Sequence, residues 1–343
     1  MMDRLRLGVI GVGRWGTNYV RTINHLDDAE VAGMAATRNT SLEAIRAAVP
    51  FKNRPLMFVD YHRLLDDSSI DAIVVATPPH THIEITTEAL LAGKPVLVEK
   101  PFAFTIEQID DVASKSTSMQ KKVMVGYLKY FDPVINKLEE DLNSGEFGKL
   151  QSIQTTFTAN GPVRPHINVL WDVVVHDISV FQKLIRSPPD ALIASGASYP
   201  QKENLEDMVQ IQVSYPDGVN TFSFASWLSP LKHYQLVIVG EKKYAVYETA
   251  ADPTPKFPVL RYFDNRKNVL HGKDQQPQPE IITVPEKLPL TEEVRHFIDC
   301  VRDDKEPITN LDTARKITGI LQAAQKSLVK RSEIHFFHQH GAW

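Results

Sequence analysis

The chain has 343 residues, a length that suits two domains of ordinary size and is long enough to bury real cores. Hydrophobic residues make up 43% and charged residues 23%, which is globular rather than disordered, and a net charge of −4 offers no footprint for nucleic acid or an anionic membrane. A single cysteine, Cys300, excludes an intrachain disulfide framework and any multi-thiolate metal centre. That usage fits a reducing cytoplasm, where the protein is expected. The N-terminus reads Met1-Met2-Asp3-Arg4-Leu5-Arg6-Leu7-Gly8, an apolar stretch too short and glycine-broken for a signal segment, and no other run approaches spanning length, so a soluble protein is expected.

In chain order, the first third alternates short β-branched runs with helical patterns, the signature of βαβ units and a parallel sheet. Strands are expected at Leu5 to Ile10, Glu30 to Ala35, near Leu56 to Val59, at Asp71 to Ala76, Pro95 to Val98 and Lys122 to Gly126. Helices fall between them at Thr17 to Leu26, Ser41 to Ala48, His82 to Ala92 and Thr105 to Thr117. After Tyr127 the pattern changes to longer alternating runs, Gln151 to Thr158, Met208 to Tyr215, Thr221 to Trp227 and Tyr234 to Val239, with a hairpin signal at Pro216-Asp217-Gly218. Ala251 to Pro289 reads as strands joined by long loops, and Thr291 to Arg302 and Asp312 to Val329 as closing helices. The expected fold is an α/β Rossmann domain over residues 1–125. An α+β domain with an open, largely antiparallel sheet follows over 126–343.

Gly11-Val12-Gly13-Arg14-Trp15-Gly16 follows a strand and opens a helix, the place of a dinucleotide-binding turn: tight at Gly11, open to a pyrophosphate at Gly13, closely packed at Gly16. The alternative is a structural glycine turn. The second strand ends in Ala35-Ala36-Thr37-Arg38 with no acid for a ribose hydroxyl, and Arg38 could pair with a 2′-phosphate, which favours NADP over NAD. Arg38 is otherwise a solvated loop residue. Glu99-Lys100-Pro101 ends a strand on the ligand-binding edge, where a lysine can hydrogen-bond a substrate hydroxyl or simply face solvent. Between Trp171 and Ile185, Asp172, His176, Ser179 and Lys183 share one helical stripe, opposite Val174, Ile178, Phe181 and Ile185. Asp172 then caps or binds, and His176 is either a satisfied core histidine or functional, while Asp177 is expected to be a buried, hydrogen-bonded carboxylate. His80 and His82 suit capping and cofactor-edge packing rather than metal ligation, and an aromatic tail docking on a neighbouring surface is favoured for His335 to His340. No metal site is expected.

With Ala76-Thr77-Pro78-Pro79-His80-Thr81-His82, Gly93 to Pro101, Phe131-Asp132-Pro133, Ser144 to Gly148 and Asp172-x-x-x-His176, these motifs make the chain resemble the glucose-fructose oxidoreductase, inositol dehydrogenase and rhizopine catabolism (Gfo/Idh/MocA) family. The resemblance covers nearly the whole chain and implies a nicotinamide-dependent oxidoreductase acting on a secondary alcohol. It implies that Lys100 and His176 are catalytic and that Asp172 orients the substrate. Expected cofactor contacts are Gly11, Gly13, Arg14, Trp15 and Gly16 in the first turn, and Thr37, Arg38, Thr77, Pro78, His82 and Glu99 along the same edge. Expected substrate contacts are Lys100, Tyr127, Asn160, Arg164, Asn168, Asp172 and His176. The segments Asn160 to Asp172 and Ser226 to Pro230 are similar to the nucleotide-sugar branch, so the substrate expected is a sugar or nucleotide sugar. The Arg164 guanidinium would meet a diphosphate or else pair with a surface carboxylate. A free sugar or cyclitol is the enzymatic alternative. A cofactor-binding regulatory protein without turnover is the other, and it has no need of Lys100, Asp172 and His176 together. An open sheet face implies a homo-oligomer, dimer or tetramer.

Overall fold

The computed structural model describes residues 4–164, 166–199, 205–249, 259–264 and 278–336. The chain divides into two compact units, Met1–Phe131 with Lys287–Thr318, and Asp132–Glu286 with Gly319–Trp343.

In the first unit the elements are β1 (Leu5–Ile10), α1 (Arg14–His25), β2 (Ala29–Ala35), α2 (Asn39–Ala48), β3 (Leu56–Phe58), α3 (His62–Leu65), β4 (Ala72–Val75), α4 (His82–Leu91), β5 (Val96–Glu99), α5 (Ile106–Met119) and β6 (Val123–Gly126). All six strands pair in parallel in the order β3-β2-β1-β4-β5-β6, so the order reverses between β1 and β4, where doubly wound sheets bind ligands beyond the strand ends. Every side chain of β4 is fully buried, as its continuous apolar run requires of a strand covered on both faces. α5 starts at a capping box in which Thr105 Oγ1 accepts from Gln108 N and Gln108 Oε1 accepts from Thr105 N, and it stops where Gln120 turns left-handed. α1 begins at Arg14, three residues before the sequence expectation, because Gly13 serves as its N-cap without any capping side chain that a sequence would show.

The largest difference from the sequence reading is at the C-terminal helices. α8 (Pro289–Asp303) belongs to the first unit, not the second, and α9 (Leu311–Lys330) straddles the division. α8 buries Val294, Phe297 and Ile298 completely, Arg302 pairs with Asp28 at 2.9 Å, and Val125 N donates to Thr309 O. Amphipathicity says that such a helix needs a surface, but not which one.

The second unit contains α6 (Pro133–Asn143), β7 (Leu150–Asn160), a π-helical turn (Leu170–Val174), α7 (Val175–Ile185), β8 (Ala191–Ala197), β9 (Met208–Ser214), β10 (Asn220–Ser226), β11 (Leu228–Gly240), β12 (Lys243–Thr249), β13 (Val259–Asp264), β14 (Glu280–Ile282), the end of α9 and β15 (Ile334–His335). They form a sheet in the order β14-β13-β12-β11-β7-β10-β9-β8-β15, antiparallel except where β7 lies parallel to β10. Pro216 to Gly218 makes the expected β9–β10 hairpin, with Asp217 and Gly218 at φ 62° and 79°. β8 was not expected, since Ala191 to Ala197 ends in Ser-Gly-Ala without clear alternation. One sheet face carries Ile153, Val209, Ile211, Val213, Leu236 and Ile238, all fully buried. Helices lie on that face, tied to it by Ser223 Oγ to Asp177 Oδ2 (2.5 Å), Tyr247 Oη to Asp132 Oδ2 (2.9 Å) and Tyr262 Oη to Asp141 Oδ2 (2.6 Å). Asp177 is thus the buried structural carboxylate that the sequence suggested. On the opposite face Gln154, Ile193 and Gln210 are exposed, and Phe222, Phe224 and Val237 are half-buried. Most of Ala251 to Pro289 and the tail beyond Phe336 lie outside the described residues. Among the described residues no helix is long and apolar enough to cross a membrane.

Candidate active site

In the first unit the site is built where β1, β2, β4 and β5 end on one edge. Gly11 sits at φ +91°, and a Cβ there would stand 2.7 Å from the carbonyl oxygen of Ala76, so the turn needs glycine on both counts. A Cβ on Gly16 would lie 1.8 Å from Gly11 O, which fixes α1 hard against the turn. Gly13 differs: its φ is −69° and a Cβ would meet nothing within 4 Å. The fold itself does not demand a glycine there, whereas a ligand approaching the backbone would. Arg14 and Trp15 are exposed in the first turn of α1, whose amide hydrogens no side chain caps, a geometry that accepts a phosphate. These residues fit a dinucleotide. At the end of β2, Thr37 and Arg38 are both exposed, with no acid at the strand tip.

Beyond β4, Thr81 Oγ1 lies 2.8 Å from the Pro78 carbonyl, to which it can donate, and 2.7 Å from Thr77 Oγ1. His82 is fully buried, with Nδ1 2.9 Å from Pro101 O and Nε2 2.8 Å from Thr77 O. Burial holds its pKa below the ordinary imidazole value despite those two carbonyls, with the Lys100 charge acting in the same sense. A neutral ring donates to only one of the two carbonyls. His82 therefore joins the loop after β4 to the loop after β5, and its ring does not reach the surface where a cofactor would touch it.

Glu99, at the end of β5, is only 7% exposed and receives the Trp15 indole N–H, the Tyr19 hydroxyl at 2.8 Å and the backbone N–H of Lys100 at 3.1 Å. Burial raises its pKa to about 7, against the opposing influence of the Lys100 charge, the Tyr19 hydroxyl and the Lys100 backbone N–H. Tyr19 also meets Glu293 of α8 at 2.7 Å. Neither Tyr19 nor Glu293 was singled out from the sequence. A signal existed for Glu293, an acid on the Phe297 and Cys300 face of an otherwise amphipathic helix. Tyr127 is 1% exposed with its hydroxyl on Thr318, and burial raises its pKa, so the structure packs it inside the unit rather than presenting it to a sugar.

In the second unit, Asp172 lies in the π-helical turn and His176 opens α7, both half-buried. The i→i+5 bonding of that turn widens it, so an α-helical stripe does not describe how Asp172 stands relative to His176. Arg164 Nε lies 3.2 Å from Asp172 Oδ2. The carboxylate partner left open by the sequence is thus the candidate site aspartate itself. Asn168 is buried, its amide nitrogen on Glu206 (2.6 Å) and Gln325 (2.9 Å) and its oxygen accepting from Trp171 N (3.3 Å). It closes the start of the helix, which corrects the expectation that it meets substrate. Asn160 is exposed at the last rung of β7, opposite Leu228. Trp227 of the Ser226 to Pro230 segment is buried and donates to Asp207 Oδ1 at 2.5 Å, and Asp207 also accepts from Tyr199 N. That aspartate went unnoticed in the sequence because its partners lie 8 and 20 residues away.

A six-stranded parallel sheet of this order with a glycine turn at its reversal defines an NAD(P)-binding Rossmann domain. Here it shares a chain with an open antiparallel sheet bearing the Asp172 and His176 helix. Residues 5–127 match the oxidoreductase family model with NAD-binding Rossmann fold, and residues 135–246 match the GFO/IDH/MocA C-terminal domain. The chain belongs to the Gfo/Idh/MocA family. It is 30% identical to inositol 2-dehydrogenase 2 of Saccharopolyspora erythraea over 216 residues, 59% of each chain. With myo-inositol 2-dehydrogenase of Thermotoga maritima it shares 24% over 204 residues, 58% of this chain and 60% of that protein. The alignments therefore span about three fifths of these curated relatives. Among solved structures, a putative oxidoreductase from Magnetospirillum magnetotacticum superposes with TM-score 0.80 at 29% identity, covering 94% of this chain and all of that one. A UDP-N-acetylglucosamine 3-dehydrogenase from Acidithiobacillus ferrooxidans superposes at TM-score 0.81 with 20% identity, over 95% of this chain and 98% of that one, a likeness of fold.

Proposed function

We propose that the protein is a nicotinamide-dependent dehydrogenase that moves a hydride between NAD(P) and a secondary alcohol carbon of a sugar or nucleotide sugar. The observation that carries this reading is the open, uncapped turn at Gly13 on the same strand-end edge from which Lys100 emerges. Bound at that turn, the nicotinamide cofactor supplies the hydride acceptor or donor. Lys100 donates a hydrogen bond to the alcohol oxygen and stabilises its developing negative charge. His176, whose imidazole can both accept and donate a proton, takes the hydroxyl proton in oxidation and returns it in reduction. Asp172, held by Arg164, orients the imidazole or binds a neighbouring hydroxyl. The sheet face of the second unit that carries no helix, where Gln154, Ile193 and Gln210 are exposed, suits pairing with another copy of the chain, which sedimentation equilibrium would read as a dimer or tetramer.

NADP is the favoured cofactor because the exposed Arg38 stands at the β2 tip without an acid to repel a 2′-phosphate. Arg38→Ala is expected to weaken NADP binding by about 10- to 100-fold, the worth of a charged hydrogen bond, and to leave NAD nearly unchanged. Titration calorimetry with both cofactors decides it. Equal losses would remove the preference.

The reaction itself is tested by nicotinamide absorbance on mixing protein, cofactor and candidate substrates. A nucleotide-sugar enzyme is inhibited by UDP or dTDP alone, and Arg164→Ala weakens that inhibition by about 10- to 100-fold. The inositol 2-dehydrogenase relatives favour a second reading, a cyclitol substrate. Rapid turnover of free inositols, with nucleoside diphosphates neither binding nor inhibiting, establishes that reading and leaves Arg164 as the partner of Asp172 alone.

A further inference from the structure

The buried group formed by Tyr19, Glu99 and Glu293 cannot be satisfied with both carboxyls ionised. Tyr19 Oη lies 2.8 Å from Glu99 Oε1 and 2.7 Å from Glu293 Oε1, and a phenol has one proton to give. If both carboxyls were anions, one short oxygen–oxygen contact would hold no hydrogen at all. One carboxyl is therefore an acid that donates to the tyrosine oxygen.

The other contacts say which. Glu99 already receives the Trp15 indole N–H and the Lys100 backbone N–H, and it feels the Lys100 charge. Glu293 has no such support: it is 1% exposed, and its Oε2 is buried without a hydrogen-bond partner. An unpartnered buried anion costs far more than an unpartnered carbonyl oxygen of a neutral acid. β6 offers no charge here either, since its residue in this group is Gly126. A Cβ on Gly126 would stand 2.9 Å from Tyr19 Oη and 3.5 Å from both Glu293 Oε1 and Glu99 Oε1, so that strand leaves room for the group and contributes nothing to neutralise it.

We propose that Glu293 is a neutral carboxylic acid that donates to Tyr19, which donates in turn to Glu99, and that this relay is a positioning device for the Glu99-Lys100 strand end. Burial and the Glu99 charge both push the Glu293 pKa well above the ordinary carboxyl value, in the sense that the hydrogen count requires. Glu99 is thereby held against Trp15 on α1 and against the backbone of Lys100, so three elements meet at one anchored carboxylate. The positioning role rests on the function proposed for Lys100, whereas the proton on Glu293 does not.

Two measurements separate them. Infrared difference spectroscopy of the apoprotein near pH 9, where Glu99 is an anion, wild type against Glu293→Gln, is expected to show a protonated carboxyl stretch in the wild type alone. Absence of that band from the wild type, or its survival in the variant, overturns the neutral acid whatever the enzyme does. For positioning, Glu293→Gln keeps a neutral donor, while Glu293→Leu keeps only bulk and Tyr19→Phe removes only the hydroxyl. Gln is expected to hold kcat within about twofold of wild type. Leu and Tyr19→Phe are each expected to lower kcat by about tenfold or more with little change in KM, and the double variant to fall no further than either alone. A packing role predicts the reverse, Leu tolerated as well as Gln, and that result would overturn the positioning role. If the wild type turns over no sugar or cyclitol, the functional proposal fails and the infrared result still stands.

Discussion

Lys100→Met and His176→Ala are each expected to lower turnover by ~10²–10⁴ while cofactor affinity stays nearly unchanged. The reason lies in when each group acts. A hydride leaves a carbinol carbon only as the hydroxyl proton departs, so charge builds on that oxygen in the transition state and far less in the bound substrate. In the roles proposed for them, Lys100 as donor and His176 as acceptor to that oxygen would act on kcat more than on binding. Neither substitution touches the glycine turn or the end of β2, so cofactor titration should give wild-type values. Steady-state kinetics and fluorescence titration of the cofactor on the same preparations check both halves. Near-normal turnover in either variant removes that residue from the chemistry, and a matching loss of cofactor affinity moves it to the binding site instead.

The second large effect is expected at Gly13. Gly13→Val places two methyl groups where a pyrophosphate must approach the backbone, so binding of NAD and NADP alike should be abolished. The fold should survive, because φ at Gly13 is −69° and a Cβ there meets nothing within 4 Å. Gly16→Val is the contrast. Its Cβ would fall 1.8 Å from Gly11 O, so that variant loses folded structure along with the ligand. Circular dichroism melting beside cofactor titration distinguishes the two. Unchanged cofactor affinity in the Gly13 variant would show that the turn is structural only.

The legibility of this protein in its sequence follows the range of the forces involved. The βαβ order of the first unit was readable because each strand is a short apolar run buried on both faces, and because glycines and prolines punctuate the ends: Thr77-Pro78-Pro79 after β4, Gly93 after α4. Once the strands are known, the right-handed crossover rule leaves few ways to order a parallel sheet. The glycine turn was legible for the same reason, since its three glycines answer to backbone demands within six residues. Lys100, Asp172 and His176 could be picked out as strand-end and helix-stripe residues, but their chemical roles came from the family resemblance, because a lone polar side chain reads equally well as satisfied structure.

What the sequence alone determined, then, is whatever depends on neighbours a few residues away: the strands and the longer helices of the first unit, though not the single turn of α3, the turn at Gly11 to Gly16, and the hairpin at Pro216 to Gly218. Tertiary structure decided everything that joins distant segments. It returned α8 to the first unit, because an apolar helix face names no partner until a matching surface exists. It bent the helix at Asp172 into a π turn and gave that aspartate Arg164 as partner. It drew Asn168 and Tyr127 into internal hydrogen bonds, away from the substrate roles that their positions suggested. It also brought Glu293 to Glu99 through Tyr19, across 274 and 80 residues of chain, where a buried carboxyl finds its hydrogen-bond partner only after the core has closed around it.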